Sequence, residues 1–248
     1  QKGDFWFEAI GVENFNSKTS RMRFLFDHIK KNHNKVKGDI FEFGVFNGKT
    51  LISIALLLKK LNSKKNVFGF DTFTGFPKYS KFDNLEQFQK MLKNKKISLK
   101  QFNQFKTLCE IKSNLNKKKI SIKNISHSDE FISNGESNLL KKLEILRLDN
   151  VKLIKGDFNK TISKFFKNKK KRIFSANIDC DLYEGYKTVL PYVWEMLEKN
   201  GYIHLDEYYS IKFPGARIAI DEFCSLNKIK LKKQKTPSYE FERWYLKK

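Results

Sequence analysis

Carboxylate side chains stand at or near the ends of several apolar segments that have the length of β-strands. In order along the chain they are Glu42, Asp71, Asp157, Asp179, Asp181, Asp206 and Glu207. In an open α/β sheet, ligands bind outside the carboxyl ends of the strands. A single aspartate at such a position is more often a helix cap or a turn residue. A whole set of them, in a chain with a net charge of +23, favours a ligand site.

A glycine-bounded turn follows the first of these segments and runs from Gly44 to Gly48. Its spacing resembles a phosphate-binding loop, but three residues separate the glycines where that loop has four. The dinucleotide fingerprint is also incomplete, because Phe46 stands where its second glycine is required. The remaining pattern, Glu42-x-Gly44-x-x-x-Gly48, is typical of S-adenosylmethionine sites, where glycines let the backbone approach the ligand.

Two aspartates at the next strand ends suit the other parts of that cofactor. Asp71 is placed to accept hydrogen bonds from both ribose hydroxyls, and Asp157 is placed to accept one from the adenine amino group. The sequence therefore predicts an S-adenosylmethionine site. Its predicted residues are Glu42, Gly44, Phe46, Gly48, Thr50, Asp71, Thr72 and Asp157.

Asp179, Asp206 and Glu207 form a second group, at the ends of two later strands. If these strands are neighbours, the three carboxylates converge and repel one another unless a cation holds them. An all-oxygen ligand set suits Mg²⁺, Mn²⁺ or Ca²⁺ better than zinc. A divalent ion at this place would bind a substrate hydroxyl and lower its pKa. The alternative interpretation is a set of helix caps and surface ion pairs.

Other polar and aromatic residues near these positions have two interpretations each. His204 precedes Asp206 by two residues, so both face the same side of a strand. It is a candidate base, but a structural histidine is the interpretation that we favour. Tyr183, Tyr208 and Tyr209 either line an acceptor pocket or pack in the core.

The elements that must position these residues follow an α/β order. A strand over 39–43, the glycine turn, a helix over 50–61 and a strand over 66–70 form a βαβ unit. The stretch 78–150 is too long for a simple connection and is predicted to be a helical insertion. Further strands are predicted at 151–155, 173–178 and 201–205, helices at 20–32, 183–199 and 215–226, and a closing hairpin at 228–233 and 241–246.

Length and composition limit the class of protein. The 248 residues are 40% hydrophobic, which predicts one large domain with a sizeable core and excludes global disorder. The longest apolar run, residues 51–58, is much shorter than the roughly 20 residues of a membrane-spanning helix. The first residues contain no apolar stretch of the signal-peptide type. The three cysteines lie far apart, so we expect reduced thiols and a cytoplasmic location.

The positive charge consists mainly of lysine that is spread along the whole chain. Lysine runs at 167–172 and 230–235 are able to neutralise nucleic-acid phosphates. Arginine, which commonly reads bases in bidentate fashion, is scarce. We interpret the charge as solvated surface and do not expect a nucleic-acid partner. The alternative function is an RNA methyltransferase that uses this basic surface.

Five stretches of the sequence resemble the TylF/MycF family of macrocin-type O-methyltransferases. They are 41–48 (FEFGVFNG), 71–77 (DTFTGFP), 178–184 (IDCDLYE), 205–208 (LDEY) and 215–223 (GARIAIDEF). The resemblance covers about half of the chain and implies a class I methyltransferase fold that uses S-adenosylmethionine and a divalent metal. It implies that Asp179, Asp206 and Glu207 are the metal ligands and that Asp179 also acts as the base. The family usually has a second aspartate where this chain has Glu207.

The predicted fold is therefore α/β, with a Rossmann-like, mostly parallel sheet, a C-terminal antiparallel hairpin and a helical lid. Residues 1–248 are predicted to form one domain, in which 1–38 are an N-terminal helical cap and 78–150 are the lid. The predicted function is S-adenosylmethionine- and divalent-metal-dependent methylation of a hydroxyl on a small acceptor, such as a sugar of a glycan or secondary metabolite, with Mg²⁺, Mn²⁺ or Ca²⁺ as the metal. The resemblance also implies a homodimer, and no membrane partner is expected.

Overall fold

The computed structural model describes residues 4–126, 131–132, 135–167 and 170–248. Its strands are β1 (Asp39–Phe43), β2 (Val67–Asp71), β3 (Val151–Lys155), β4 (Ile173–Ile178), β5 (Leu197–Leu205), β6 (Lys232–Lys233) and β7 (Trp244–Lys247). Within the described ranges they form a seven-stranded sheet in the order β3-β2-β1-β4-β5-β7-β6. Strands β1 to β5 pair in parallel, and β7 pairs antiparallel with both β5 and β6. The predicted mostly parallel sheet with a C-terminal antiparallel hairpin is confirmed.

Helices cover both faces of this sheet. They are α1 (Asp4–Ala9), α2 (Arg23–Asn32), α3 (Lys49–Lys60), α4 (Gln87–Lys93), α5 (Leu99–Asn116), α6 (Gly135–Ile145), α7 (Phe158–Phe166), α8 (Tyr183–Met196) and α9 (Pro214–Leu226). Short 3-10 helices also occur at Lys81–Asp83 and Asp206–Tyr209. The order strand, helix, strand over β1, α3 and β2 is the predicted βαβ unit.

The core has two parts because successive side chains of a strand point to opposite faces of the sheet. Phe41 and Phe43 of β1 stack with phenylalanines of β2 and pack under helices α7 to α9. On the opposite face, Ile40 packs with the nearly continuous apolar surface of α3 and with α2. Both layers are closed to water, so the strand ends are where the protein is able to receive a ligand.

The boundary between α8 and β5 differs from the sequence prediction. The helix was expected to run to Lys199 and to end at an Asn200–Gly201 cap. It ends at Met196 instead, because Leu197 already has extended backbone angles and is aligned with Ile173 of β4. A register shift follows, and the Asn200 N–H donates to the Lys248 carbonyl at 2.8 Å. Sheet pairing on both sides therefore overrides the local cap signal.

Two smaller differences concern the ends of the chain. Helix α2 begins at Arg23 rather than near residue 20, after a turn in which the Ser20 hydroxyl accepts from the Met22 N–H at 3.1 Å. The closing hairpin is present but short, since only Lys232 and Lys233 pair with β7. All four residues of β7 pair with β5 on its other side.

The insertion between β2 and β3 contains α4, α5 and α6, as expected for a helical segment. Its first part is tied to the strand ends by the buried Asp83, whose Oδ1 accepts from the Tyr183 N–H at 2.8 Å. Gln101 of α5 donates to the Ser210 carbonyl at 2.9 Å. The sequence at 114–119 and 133–137 predicts weaker order within this helical insertion. Helix α5 continues to Asn116, and residues 133–134 lie outside the described residues.

Two further observations concern the cysteines and the membrane. Cys109, Cys180 and Cys224 are free, in agreement with the expected thiols. Among the helices of the described ranges, none combines the length and the apolar character that a membrane span requires.

Candidate functional site

A cavity of about 550 Å³ opens at the carboxyl ends of the parallel strands. This is the position at which α/β sheets bind ligands, and the volume lies in the range of small-molecule sites. The cavity brings together nearly all of the predicted site residues. Those that line it are Glu42, Gly44, Phe46, Thr50, Asp71, Thr72, Asp157, Asp179, Asp206 and Glu207. Gly48 stands at the start of α3 and has a left-handed backbone, with φ of 78°.

Gly44 joins the two edges of this cavity. It follows β1 with φ of +90°, and a Cβ atom at this position would lie 1.8 Å from the Asp179 carbonyl oxygen after β4. No side chain fits there, so the close approach of the two strand ends requires glycine. The glycine turn therefore has a packing role besides the predicted approach to a ligand.

Asp71 organises the turn that follows Gly44. Its Oδ2 accepts from the Val45 N–H at 2.7 Å and from the Phe46 N–H at 2.8 Å, and its Oδ1 accepts from the Phe73 N–H at 2.7 Å. A carboxylate has roughly four acceptor positions. The backbone uses most of them, so Oδ1 is the oxygen that retains capacity for a ribose hydroxyl. Asp71 lies where predicted, with a structural task that sequence reasoning did not assign to it.

Glu42 is a carboxylate enclosed at the floor of the cavity, with an exposed fraction of 2%. Its Oε1 accepts from the Asn177 side-chain amide at 2.8 Å, whereas its Oε2 has no hydrogen-bond partner. Burial raises the pKa of Glu42 well above its ordinary value. An unsatisfied buried oxygen is costly and commonly indicates a missing ligand donor.

The other predicted cofactor residues occupy the rim and the walls. Asp157 caps α7, since its Oδ1 accepts from the Asn159 N–H at 2.8 Å. The Thr72 hydroxyl donates to the Gly75 carbonyl at 2.8 Å. Thr50 is buried in the first turn of α3. All three have local structural roles and also line the cavity.

The acidic end of the cavity lies where β4 and β5 end side by side. Carboxylate oxygens of Asp179, Asp181 and Glu207 lie within 4.8 Å of one another. Asp206, which was predicted as a member of this group, lies beside it and contacts His204 and Arg21. The grouped trio therefore contains Asp181 in the place predicted for Asp206.

Arg21 is the cation that contacts this acidic end. Its Nη1 donates to Asp206 Oδ2 at 2.9 Å and its Nη2 donates to Asp179 Oδ2 at 3.2 Å. Its Nε also lies 3.7 Å from Glu13, which pairs with Lys49 at 3.4 Å. The carboxylates of Asp206 and Asp179 raise the pKa of Arg21 further above its ordinary value. The segment before α2 thus supplies a fixed positive charge to the site.

The pKa values of the acidic residues diverge for physical reasons. Burial raises the pKa of Asp179, Asp181 and Glu207, and the negative charges of their neighbours raise it further. Burial acts in the same direction on Asp206, but Arg21 and the hydrogen bond with His204 outweigh it and lower the pKa of Asp206. Arg21 and His204 together therefore dominate at Asp206, whereas burial and repulsion from neighbouring carboxylates dominate at the other three residues.

Glu207 is held by a tyrosine that sequence reasoning missed. The buried Tyr186 hydroxyl donates to Glu207 Oε2 at 2.6 Å, and the Asp181 N–H approaches the same oxygen at 3.4 Å. Asp181 itself has a left-handed backbone with φ of 60°, between Cys180 and Leu182. Such conformations cost roughly 1–3 kcal/mol and cluster at functional sites.

The remaining candidates separate into core and cavity residues. His204 is completely buried and its Nε2 lies 3.4 Å from Asp206 Oδ1, which fits the structural interpretation. Tyr183 and Tyr208 are buried and donate to Glu222 and Asp221 respectively, at 2.7 Å each. Tyr209 lines the cavity. Of the three tyrosines, Tyr209 thus has the position expected for an acceptor pocket.

Three functional candidates were not assigned from sequence, namely Arg21, Asp181 and Arg243. Asp181 had a usable signal, because it stands two residues after Asp179 in a strand-end motif. Arg21 and Arg243 had none, since each reaches the cavity only through the tertiary fold.

The fold and the cavity define the class of protein. A sheet in this strand order, with an antiparallel seventh strand and a ligand cavity at the carboxyl ends, is the class I methyltransferase architecture. The family model described as "Methyltransferase domain" matches residues 41–208. The chain belongs to this methyltransferase family, and the prediction of a methyltransferase enzyme is confirmed. No curated protein sequence matches the chain.

Solved structures share this fold. CalS11, a calicheamicin methyltransferase, is 22% identical with a TM-score of 0.63, over 91% of this chain and 76% of its own. The O-methyltransferase NovP is 16% identical with a TM-score of 0.60, over 99% of this chain and 80% of its own. An O-methyltransferase from Bacillus cereus in complex with SAH is 11% identical with a TM-score of 0.53, over 98% of this chain and 90% of its own.

Proposed function

We propose that this protein is an S-adenosylmethionine- and divalent-metal-dependent O-methyltransferase that acts on a hydroxyl of a sugar-like acceptor. The observation that carries the proposal is one cavity with a glycine turn at one end and an acidic cluster at the other. At the glycine turn, uncharged backbone groups are able to lie close to a ligand. The acidic cluster is built to hold positive charge.

The residues at the β1–β2 edge fit S-adenosylmethionine. Glu42 lines the cavity, and its buried Oε2 has no donor among the described residues, as expected of a carboxylate that receives the ligand's ammonium group. Asp71 Oδ1 retains room for a ribose hydroxyl, and Asp157 at the rim is available to the adenine. Phe46 forms an edge contact with Phe131 at 5.1 Å and offers an apolar wall.

The acidic end fits a hard divalent cation by its donor chemistry. The oxygens of Asp179, Asp181 and Glu207 are close enough to share an ion, and Asp206 stands beside them. Oxygen sets of this kind suit Mg²⁺, Mn²⁺ and Ca²⁺. Burial is the main cause of the raised pKa values of Asp179, Asp181 and Glu207, and repulsion from neighbouring carboxylates raises them further, which supports a cation at this end. We propose Asp179, Asp206 and Glu207 as ligands, with Asp181 as the further residue to test.

S-adenosylmethionine, when bound, supplies an electrophilic methyl group, and a divalent ion supplies positive charge that lowers the pKa of a hydroxyl. The chain itself must orient the acceptor hydroxyl and remove its proton. Asp179 faces the cavity, and its raised pKa brings it closer to the range in which a carboxylate is an efficient base. Tyr186 and Arg21 hold Glu207 and Asp206 in place, so the geometry is set before an acceptor arrives.

The walls of the acceptor region are aromatic. Phe76 forms edge contacts with Phe131 at 5.0 Å and Phe213 at 5.9 Å, and all three line the cavity. Aromatic faces suit the apolar faces of sugar rings. One structure of CalS11 is described as a TDP-rhamnose 3'-O-methyltransferase, which supports a sugar hydroxyl as the acceptor.

Several expectations from the sequence become proposals at this point. We propose membership of the TylF/MycF family, a homodimer and a cytoplasmic location. We also propose one domain over 1–248, with 1–38 as a helical cap and 78–150 as a lid. The hydrogen bonds of Asp83 and Gln101 to segments next to the cavity support the lid.

Replacement of Asp179 by Asn tests the proposed function. Removal of a base typically costs about 10²–10⁴ in rate, and removal of a ligand carboxylate weakens the metal site as well. We expect Asp179→Asn to lose methyl transfer to sugar acceptors and to bind Mn²⁺ at least about tenfold more weakly, with S-adenosylhomocysteine binding retained. Calorimetry and a radiolabelled methyl assay measure the three quantities.

The exposed Asp149, which lies away from the cavity, provides the matched control. Asp149→Asn is expected to behave as the wild type in every assay. Wild-type turnover in Asp179→Asn would disprove the role of Asp179. Failure of the wild type to bind S-adenosylhomocysteine would disprove the cofactor, and methylation of RNA instead of sugars would favour the RNA alternative.

A further inference from the structure

Arg243 lies in the wall of the cavity and is unpaired among the residues that the structure describes. It stands just before β7, and no described residue forms a hydrogen bond or an ion pair with its guanidinium. Its Nε is buried and unsatisfied. Two other basic residues of this wall are paired, since Arg21 pairs with Asp179 and Asp206, and Lys49 pairs with Glu13.

An enclosed guanidinium without an anion is energetically unfavourable. Burial lowers the pKa of Arg243, and the charges of Arg21 and Arg23 act in the same direction, whereas the charges of Asp206 and Glu240 raise it without outweighing burial. Proteins rarely keep such a charge unless it is paired or meets a ligand. Arginine is also the side chain whose planar donors match the oxygens of phosphate and carboxylate. The position therefore has the properties of an anion-binding point.

An exposed aromatic face lies next to this arginine. Phe241 precedes Arg243 by two residues, and both line the cavity. The Phe241 ring is 38% exposed and lies 5.5 Å from the Tyr209 ring. The Tyr209 hydroxyl donates to Gln104 of α5 at 2.7 Å, which fixes this ring. A flat ligand group is able to stack on this surface.

A second unpaired cation lines the same cavity close to the acidic cluster. Lys212 is near enough for its charge to lower the pKa of Asp181, yet no described carboxylate forms an ion pair with it. Arg243 is likewise within electrostatic reach of Asp206. Positive groups thus border the place where an acceptor hydroxyl must lie.

We propose that the acceptor is a nucleoside-diphosphate sugar, whose diphosphate binds Arg243 and Lys212 and whose base stacks on Phe241 and Tyr209. This inference rests on the proposed function, because it places the sugar at the acidic cluster. In this arrangement the diphosphate pairs with the Arg243 guanidinium, and the nucleobase packs on the exposed Phe241 ring. The arrangement also explains how a small sugar is held with one hydroxyl in a fixed direction.

Calorimetric titrations with TDP and UDP, each with and without saturating S-adenosylhomocysteine, test the inference. We expect the wild type to bind a nucleoside diphosphate, and Arg243→Gln to bind it at least tenfold more weakly. Arg243→Lys should lie between the two, because it keeps the charge but not the planar donors. Lys212→Gln should weaken binding as well. S-adenosylhomocysteine affinity in each variant reports that the protein is folded.

Arg172, which is 65% exposed and pairs with Glu198, serves as the control for loss of one positive charge. Arg172→Gln should bind nucleoside diphosphates as the wild type does. Inorganic pyrophosphate and glucuronate distinguish the sources of the anion. If pyrophosphate binds as tightly as TDP, the nucleobase does not contribute to binding and the proposed stacking is wrong. If glucuronate binds more tightly than TDP, the anion that Arg243 recognises is a carboxylate and the proposed diphosphate is wrong.

The outcomes separate the two proposals. Absence of nucleoside-diphosphate binding by a wild type that binds S-adenosylhomocysteine would overturn the inference and leave the methyltransferase intact. Equal binding by the wild type and Arg243→Gln would also overturn it. Absence of S-adenosylhomocysteine binding, with TDP still bound through Arg243, would overturn the proposed function and keep the anion site.

Discussion

The two ends of the cavity satisfy their polar groups in different ways. At the β1–β2 edge, Asp71 accepts from Val45, Phe46 and Phe73, which lie in the two turns that follow these strands. At the β4–β5 edge, Asp179 and Asp206 accept from Arg21, which is 158 and 185 residues away in sequence. The first end uses neutral backbone donors, and the second depends on one distant cation.

This difference indicates where the protein is able to respond to its surroundings. Backbone donors are present at any pH and in any salt, so the cofactor end should stay formed. The acidic end keeps several buried carboxylates with raised pKa values around one guanidinium. Its charge balance must change with pH, with divalent ions and with the position of the segment that carries Arg21.

The largest effect is expected at the point where the two ends meet. Gly44→Ala places a methyl group 1.8 Å from the Asp179 carbonyl oxygen, at φ of +90°. Overpacking and backbone strain together should cost about 3 kcal/mol or more of unfolding free energy. Urea denaturation measures this loss, and calorimetry should show that S-adenosylhomocysteine no longer binds.

Substitution of a second glycine with positive φ distinguishes the cost of backbone strain from the cost of the steric clash with Asp179. Gly11 has φ of +69°, and a Cβ there would meet only the flexible end of Lys142, at 3.3 Å. Gly11→Ala should therefore cost only about 1–2 kcal/mol, the usual penalty of a left-handed residue. Equal destabilisation by both substitutions would show that the contact between the two ends is unimportant.

An intermediate effect is expected from the distant cation. Arg21→Met removes the donor to Asp179 and Asp206 and should destabilise the metal-free protein by about 1–2 kcal/mol, since the guanidinium is partly exposed to solvent. The same change frees Asp179 Oδ2 and Asp206 Oδ2, so Mn²⁺ should bind more tightly than to the wild type. Thermal unfolding in EDTA and Mn²⁺ titration followed by electron paramagnetic resonance measure the two effects.

Arg23 offers the matched control for Arg21. It is the first residue of α2, two residues after Arg21, and pairs with a carboxylate, Glu240, at 2.7 Å. Arg23→Met should lower stability without any gain in Mn²⁺ affinity. If Arg21→Met leaves Mn²⁺ affinity unchanged, Arg21 does not compete with an ion for these oxygens.

The smallest and most gradual effect concerns pH. The raised pKa values of Asp181 and Glu207 stabilise the metal-free fold below the ordinary carboxylate range, and this contribution is lost as pH rises through the raised values. A divalent ion requires the ionised carboxylates, so the rise in melting temperature on adding Mn²⁺ should grow from pH 5.5 to pH 8. Scanning calorimetry at matched ionic strength measures it.

His28 also changes the melting temperature with pH, but its contribution is the same with and without Mn²⁺ and therefore cancels in the Mn²⁺-induced shift. Burial lowers the pKa of His28 to about 4, so its contribution is present above the ordinary histidine pKa and is lost as pH falls. This slope has the opposite sign to that of Asp181 and Glu207. A metal-induced shift of the same size at both pH values would contradict the charge imbalance at the acidic end.

The parts of the fold that could be predicted are those with short-range signals. The strands at 39–43, 151–155 and 173–178 were predicted with the bounds that the structure shows, because each is an apolar run between turn residues. The end of α8 was wrong, since pairing of Leu197 with β4 outweighed the local Asn200–Gly201 signal. The insertion over 78–150 was predicted to be helical, but the first and last residues of its helices were not predicted.

The sequence by itself determined which residues stand at the strand ends, because strand, turn and helix follow local periodicity and glycine placement. It thereby indicated Glu42, Asp71 and Asp179 as lining one site. Only the tertiary structure decided how each charge there is balanced. Arg21 contacts Asp179 across 158 residues of chain, Asn177 contacts Glu42 across 135, and Tyr186 contacts Glu207 across 21. Electrostatic partners are chosen by distance in space, for which the local pattern of a sequence carries no signal.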